Sequence, residues 1–191
     1  MKIPQQKLLE DLSATTRDLL ARVEPFTTLS EEALNWRENK EKWSILECFE
    51  HLNRYGDFYI PECRHRMEAY KLTGSNLTNF KSGLLGNYFS NLMLPSAQSK
   101  KMQSPKDMNP VFSDLDRSVL TEFTRQQKEL LKLLSQSEQI DLNKVKTGIS
   151  LTNWIKLKLG DTFRVVIYHN LRHVVQAEGI LVAQPILEGK V

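Results

Sequence analysis

The sequence predicts an all-α protein, a four-helix bundle formed by a single domain over residues 1–191. Apolar residues recur at intervals of three and four through most of the chain, which is the period of an amphipathic helix. Four such segments are long enough for core helices, and no segment shows a convincing strand pattern. The composition is typical of a globular chain, because 40% of the residues are hydrophobic and 26% are charged.

The first helix is marked by one stripe of aliphatic residues, which are Leu8, Leu12, Leu19 and Val23. We expect this helix to end before Pro25, because proline cannot continue a helix. A long polar connection follows over residues 26–42. Ser30 within this connection can cap a single helical turn.

The second helix has a clear start and a predicted bend. Ser44 and Glu47 have the spacing of a capping box, in which each side chain satisfies a free backbone amide of the first turn. The apolar pattern continues to about Leu72, and Gly74 is a suitable stop. Pro61 lies inside this span, so we expect it to kink the helix.

A long connection separates the second and third helices. Residues 75–94 are apolar in patches, but Gly83 and Gly86 interrupt them, so an irregular or short-helical structure is expected. Residues 95–110 are rich in Ser, Lys, Gln and Pro, which is typical of an exposed loop. A connection of this length favours a crossover over a simple up-down bundle.

The last two helices complete the predicted bundle. The third is expected over residues 114–136, with Ser113 as a candidate cap. The fourth is expected to begin at residues 160–161 and to continue to about Val182. Residues 149–154, which lie between these two helices, could be extended.

Three of the four histidines have positions that suit a metal site. His169 and His173 lie four residues apart on the last helix, so both rings project from one face, on the shoulder of the buried stripe. His51 occupies a similar shoulder of the second helix. If the two shoulders face each other, three neutral imidazoles and a water would form an open catalytic zinc site, and nickel or iron would accept similar ligands. The pattern alone favours the other interpretation, three unrelated groove or surface histidines.

Four further residues lie close to these histidines on the helical wheels. Glu47 and Tyr55 share a broad face with His51, while Arg172 and Gln176 flank the histidine pair of the last helix. They are candidates for orienting an imidazole or a substrate. Ordinary solvated side chains in these positions would give the same pattern.

Two segments of the chain resemble the DinB-like (YfiT-type) superfamily. Residues 43–52, WSILECFEHL, are similar to its second-helix signature, in which a tryptophan and a capping serine lead to a histidine followed by leucine. Residues 168–176, YHNLRHVVQ, are similar to its last-helix signature, which has two histidines four residues apart. The resemblance covers nearly the whole chain, from about residue 5 to residue 185.

The resemblance implies a four-helix bundle that holds a divalent metal, zinc or nickel, on His51, His169 and His173. It also implies a homodimer in many members and, in some, a transferase that uses a low-molecular-weight thiol. A metal with an open coordination position can activate either a thiol or a water. The expected function is therefore that of a divalent-metal-dependent enzyme, thiol-transferase-like or hydrolase-like, acting on a small-molecule substrate.

The alternative function is that of a non-catalytic helical binding or dimerisation module with a structural or vestigial metal site. Residues 84–94 bear on this alternative, because their apolar side chains either form an exposed homodimer interface or fold back over the core. The sequence leaves both outcomes open. Nucleic acid is not an expected partner, since the net charge of +3 is small and the basic residues are dispersed.

The sequence also predicts no membrane association and a cytoplasmic location. No apolar run approaches the ~18 residues that cross a bilayer, and the N-terminus is polar. Cys48 and Cys63 suit a reducing compartment, because fifteen residues of one helix span about 22 Å, which is too far for a disulfide. We expect both to be small buried hydrophobic residues.

Overall fold

Six α-helices carry most of the described chain. The computed structural model describes residues 1–70, 79–95, 103–111 and 113–185. The helices are α1 (Gln5–Val23), α2 (Glu31–Asn35), α3 (Ile45–Glu68), α4 (Leu84–Met93), α5 (Ser118–Gln136) and α6 (Leu159–Ala183). The all-α prediction is confirmed in the sense that the described protein is mostly helical. None of the helices in these ranges is both long enough and apolar enough to cross a membrane.

The four long helices build the core. α3 packs against α5 and α6, and α1 also packs against both of them. Phe49 of α3 contacts Phe26 and Phe123 edge to face, with ring centroids 5.4 Å and 5.0 Å apart. Truncating a fully buried phenylalanine to alanine costs about 3–5 kcal/mol. This aromatic cluster is therefore a main source of stability at the end of the protein that contains α2.

The sequence-based expectation of no strands is wrong. β1 (Lys2–Pro4) pairs antiparallel with β2 (Asn79–Lys81), and β3 (Lys146–Ile149) pairs antiparallel with β4 (Thr152–Lys158). Residues 149–154, for which an extended structure was one possibility, form the end of β3, the turn of the second hairpin and the start of β4. This hairpin packs against both α3 and α6, so it closes one end of the groove between them.

α3 begins as predicted and ends early. The Ser44 hydroxyl accepts a hydrogen bond from the Glu47 amide at 3.2 Å, and the Glu47 carboxylate accepts one from the Ser44 amide at 2.8 Å. The predicted capping box is therefore confirmed. The helix continues through Pro61 and ends at Glu68. The predicted end at residues 72–74 is too late, and those residues lie outside the described ranges.

α5 begins later than predicted. The helix was expected from residue 114 with Ser113 as its cap, but it starts at Ser118. The Ser113 hydroxyl accepts a hydrogen bond from the Arg54 guanidinium at 3.3 Å and caps no helix. Arg117 donates to two backbone carbonyls of the connection before α2, both at 2.8 Å. These bonds tie the start of α5 to that connection, and the Asp116 carboxylate accepts a hydrogen bond from the Ser118 amide at 2.7 Å.

α4 is a short helix within the segment that was expected to be irregular or short-helical. Its apolar residues divide between two environments. Phe89 and Met93 line an internal cavity, whereas Leu84 is 94% exposed and Leu85 and Tyr88 are also exposed. One face of α4 is therefore directed toward the cavity and the other toward solvent, and the homodimer stays a prediction.

A buried polar cluster fixes the start of α4 on α6. The Asp161 carboxylate accepts hydrogen bonds from the Gly83 amide, at 2.8 Å, and from the Ser82 hydroxyl, and it pairs with Arg164 at 3.2 Å. A Cβ atom on Gly86 would lie 2.3 Å from the Asp161 side chain, so only glycine permits this approach. The ion pair offsets the burial of both charges. As a result, α4 covers the cavity from a fixed position.

Candidate metal centre

Three imidazoles meet in the groove between α3 and α6. His51 comes from α3, and His169 and His173 lie one turn apart on α6. The Nε2 atom of His169 lies 3.2 Å from Nε2 of His51 and 3.1 Å from Nε2 of His173. Among the described residues, these histidines form the one group of three or more His, Cys, Asp or Glu side chains that could hold a metal ion. The two helix shoulders thus face each other.

Hydrogen bonds on the far side of two of the rings turn their Nε2 atoms inward. Nδ1–H of His51 donates to the Met108 carbonyl at 2.6 Å, and Nδ1–H of His173 donates to the Gln176 amide oxygen at 2.9 Å. A carbonyl oxygen only accepts hydrogen bonds, so in each ring Nδ1 carries the proton and Nε2 keeps its lone pair. Two of the three ligand atoms are therefore prepared for a metal by their neighbours.

The spacing of the nitrogens fits a divalent metal. Nitrogen ligands at about 2.0–2.1 Å from a tetrahedral zinc ion lie about 3.3 Å from one another. The two Nε2 distances of 3.2 Å and 3.1 Å are close to this value. Imidazole nitrogen suits zinc and nickel alike. Three such ligands leave at least one coordination position for another molecule.

The electrostatic surroundings keep the three rings neutral. Burial lowers the pKa of His51 to about 4, and the hydrogen bond to Met108 opposes part of this shift. Burial and the neighbouring His51 lower the pKa of His173 to about 3. Burial and the two other imidazoles also place the pKa of His169 well below its ordinary value. Since a metal binds the neutral form of imidazole, the three histidines are in their ligand form at neutral pH.

Aromatic side chains hold the imidazoles from both ends of the site. The Trp43 ring lies 4.7 Å from the His51 ring and 5.6 Å from the His173 ring, measured between centroids. The Tyr55 ring lies 4.9 Å from His51 and 4.7 Å from His169. These contacts restrict the rotation of the three rings. Trp43 also immediately precedes the capping serine of α3, so the start of that helix is part of the site.

The loop before α5 supplies a contact that the sequence did not reveal. Met108 lies in the predicted exposed loop of residues 95–110, yet its carbonyl orients His51. Arg54 of α3 holds this loop, because its guanidinium donates to the carbonyls of Asp107, at 3.3 Å, and of Asn109, at 3.0 Å. The sequence signal for this arrangement was weak, since it consists of one arginine three residues after a histidine.

A cavity of about 730 Å³ opens beside the three histidines. α3 and α6 form its floor, and α4, the β3–β4 hairpin and residues 103–111 contribute to its walls. Of the predicted neighbours of the histidines, Tyr55, Arg172 and Gln176 line this cavity. Arg172 also donates to the Leu92 carbonyl of α4 at 3.1 Å. A space of this size accommodates a small molecule in contact with the imidazoles.

Glu47, the fourth predicted neighbour, lies elsewhere. Its carboxylate is fully buried, completes the capping box of α3 and forms an ion pair with Arg37 at 2.6 Å. Glu47 does not line the cavity. Its contribution to the site is to fix the start of the helix that carries His51.

Both cysteines lie away from the site chemistry. Cys48 and Cys63 are free thiols, and both are buried in the core, as the sequence predicted. Burial raises the pKa of each thiol above its ordinary value, and a neighbouring glutamate adds to the shift. The thiols are therefore protonated at neutral pH, and neither lines the cavity.

Sequence comparison identifies the family. The sequence profile of the DinB superfamily matches residues 11–177, a span that contains all three histidines. The chain belongs to the DinB superfamily. The match confirms the superfamily that the two helix signatures indicated. No curated protein and no solved structure matches the chain. The chemistry of this DinB-superfamily protein therefore has to follow from its own residues.

Proposed function

We propose that this protein is a divalent-metal-dependent enzyme that acts on a small molecule in the cavity. In this proposal α1, α3, α5 and α6 are the helices of a four-helix bundle, and the connection from α3 to α5 is its crossover. His51, His169 and His173 hold the metal, zinc or nickel. The observation that carries the proposal is the convergence of three Nε2 atoms at the wall of a cavity of about 730 Å³. A ligand set of three histidines with an open position is typical of catalytic rather than structural metal sites.

The nucleophile comes from outside the chain. A divalent metal in such a site lowers the pKa of a bound thiol or water, so that either can react at neutral pH. The chain's own cysteines are buried in the core and do not reach the cavity. A low-molecular-weight thiol or a water molecule must therefore fill this role, and these two nucleophiles correspond to the thiol-transferase-like and the hydrolase-like reaction.

Three cavity residues have specific roles in this proposal. Burial raises the pKa of Tyr55 to about 12, so its phenol stays protonated. Its hydroxyl makes no hydrogen bond to a described residue and is free to donate one to a bound molecule. Gln176 keeps His173 in the correct tautomer. Arg172 places a positive charge beside the histidines, which favours an anionic group in the cavity.

The test is metal analysis of the purified protein and two variants. We expect one equivalent of divalent metal in the wild type and a loss of at least about tenfold in affinity for His51→Ala, because one of three ligands is removed. His65→Ala is the matched control, since His65 lies on the same helix and is exposed. A wild type that binds no zinc or nickel, or a His51→Ala variant that binds as well as the control, would refute the metal site.

A second assay separates the two reactions. The metal-loaded protein is mixed with a chromogenic aryl halide, with and without a low-molecular-weight thiol, and with a chromogenic ester. Halide release that needs both thiol and metal supports the transferase reaction, whereas thiol-independent ester cleavage supports the hydrolase reaction. If neither reaction exceeds that of the His51→Ala variant, these two catalytic proposals fail.

A non-catalytic binding or dimerisation module is the second candidate. The observation that favours it is the exposed apolar face of α4, where Leu84 is 94% exposed and Leu85 and Tyr88 lie beside it. Exposed apolar surface of this kind commonly marks an interface, and a homodimer is the simplest symmetric way to cover it. In that case the histidines stabilise the fold through the metal instead of reacting with a substrate.

A further inference from the structure

The cavity beside the histidines has two chemically different ends. Val166 and Gln176 both line it from α6, and their separation of ten residues corresponds to about 15 Å along the helix axis. His169 and His173 lie between these two positions, so the candidate metal centre occupies the middle of the cavity. A molecule that contacts the histidines can therefore extend in both directions.

The end near the β3–β4 hairpin is apolar. Its walls include Ile149, Leu157 and Val166, which are buried aliphatic side chains. Tyr59 contributes its ring to the same end, and its hydroxyl already accepts a hydrogen bond from the Ser150 amide at 3.3 Å. This end therefore favours an apolar group, because burying such a group there removes it from water without leaving a polar partner unsatisfied.

The opposite end is cationic. Lys40 and Lys42 are exposed side chains that line the cavity at its rim, and Lys42, Trp43 and Gln176 also line a smaller adjoining pocket, which places the lysines at the Gln176 end. Neither lysine forms an ion pair with any residue in the described ranges. Arg172 adds a third positive charge, and Glu41 is the one acidic side chain among the described lining residues.

We propose that the cavity binds an amphiphilic anion, with the anionic group toward Lys40 and Lys42 and an apolar body between Leu157 and Val166. The proposal rests on the proposed function in one respect, which is that the group to be transferred or hydrolysed lies between the two ends, beside the histidines. It names the class of substrate, a small molecule with a carboxylate or phosphate at one end and a hydrocarbon or aromatic part at the other.

The experiment measures binding of octanoate by calorimetry to the full chain, both metal-free and zinc-loaded. We expect octanoate to bind more tightly than octanol or octylamine, and more tightly than hexanoate by up to about 15-fold, because two further methylene groups are buried. The Lys40→Gln/Lys42→Gln variant should lose about three- to tenfold in octanoate affinity while its affinity for octanol stays the same. Octyl phosphate is measured in parallel, and the anion that binds more tightly identifies the preferred head group.

One control variant and one variant of the apolar end make the result specific. Lys128→Gln/Lys146→Gln changes the net charge by the same amount at exposed positions that do not line the cavity, so it should bind octanoate as the wild type does. Val165→Thr keeps the shape of a partly buried lining residue and should reduce the gain from hexanoate to octanoate. Equal binding of octanoate and octanol, an unchanged lysine variant, or no saturable binding would overturn the proposal. Because the metal-free arm needs no metal, failure of the metal site and failure of this proposal are distinguishable.

Discussion

Replacing Arg54 should weaken metal binding although Arg54 touches no metal ligand through its side chain. Its guanidinium donates to the carbonyls of Asp107 and Asn109 and to the hydroxyl of Ser113, at 3.3, 3.0 and 3.3 Å. These bonds hold the segment whose Met108 carbonyl accepts the His51 Nδ1 proton. We expect the loop to loosen and His51 to lose its fixed tautomer and orientation in the Arg54→Gln variant.

The magnitude follows from the number of bonds. Each of the three is partly exposed, so it stabilises the loop by about 0.5–1 kcal/mol. Their sum, roughly 1.5–3 kcal/mol, corresponds to a decrease of about 10- to 150-fold in metal affinity if all of it is needed to orient His51. Loss of an outer hydrogen bond to a metal ligand commonly decreases affinity by about 10- to 100-fold. The two figures agree, so we expect a decrease of one to two orders of magnitude.

One effect of the substitution acts in the opposite direction. The positive charge of Arg54 contributes to the low pKa of His51, and the same charge repels a metal cation. Arg54→Gln removes this repulsion and would hide part of the loss. Arg54→Lys keeps the charge but loses the planar fork that reaches several acceptors at once. The lysine variant should therefore show at least as large a decrease in affinity as the glutamine variant.

The assay is competition for zinc with a chromophoric chelator, with circular dichroism to confirm that each variant is folded. Arg64→Gln is the matched control, because Arg64 lies on the same helix and pairs with Glu129 on the surface instead of with the loop. It should bind zinc as the wild type does. If Arg54→Lys and Arg54→Gln are folded and bind zinc within a factor of two of Arg64→Gln, the loop does not orient His51 and the reasoning is wrong.

Three further predictions concern the metal-free fold and its association. Since the unfolded chain protonates histidine near pH 6.5 and the folded chain protonates His51 only near pH 4 and His173 near pH 3, metal-free stability should fall between pH 7 and pH 5 by about 2 kcal/mol for each of them. Urea unfolding at pH 7 and pH 5 measures this decrease in the free energy of unfolding, which should be smaller for His51→Asn. An unfolding midpoint that does not change with pH would contradict the prediction. Chelation should lower the melting temperature while the helical circular dichroism at 25 °C is kept, because the apolar core does not include the metal; loss of helix on chelation would contradict this. If the exposed face of α4 forms a homodimer, Tyr88→Glu should convert a dimer to a monomer in light scattering, and a wild type that is already monomeric at micromolar concentration would exclude it.

The long helices were predictable because their signal is local. α1 and α6 end close to where the apolar period and the prolines placed their ends, and α3 begins at the expected capping box of Ser44 but ends at Glu68, earlier than predicted. The start of α5 was misplaced because Asp116, and not Ser113, accepts the hydrogen bond from the first amide of the helix, while Arg117 ties this point of the chain to the connection before α2. β1 and β2 were missed for a related reason. Each has three residues, which is too short for an alternating pattern, and they pair across more than seventy residues of chain.

In the candidate metal centre, too, the features set by local spacing were predictable, and those set by long-range contacts were not. Spacing on a rigid helix places His169 and His173 on one face, but the pattern alone favoured unrelated histidines, and only the family resemblance joined His51 to the pair. The structure brings the three rings together by packing α3 against α6. The orientation of His51 depends on the Met108 carbonyl of a distant loop and on Arg54, which holds that loop. An arginine three residues after a histidine is too common a pattern to reveal this contact, and Met108 has no fixed spacing from His51. If the three histidines hold a metal, we expect substitutions in residues 103–111 to change metal affinity without changing the helical fold. A search for variants with altered metal binding should therefore begin in this loop, where the backbone carbonyl of Met108 is the contact and the surrounding side chains decide its position.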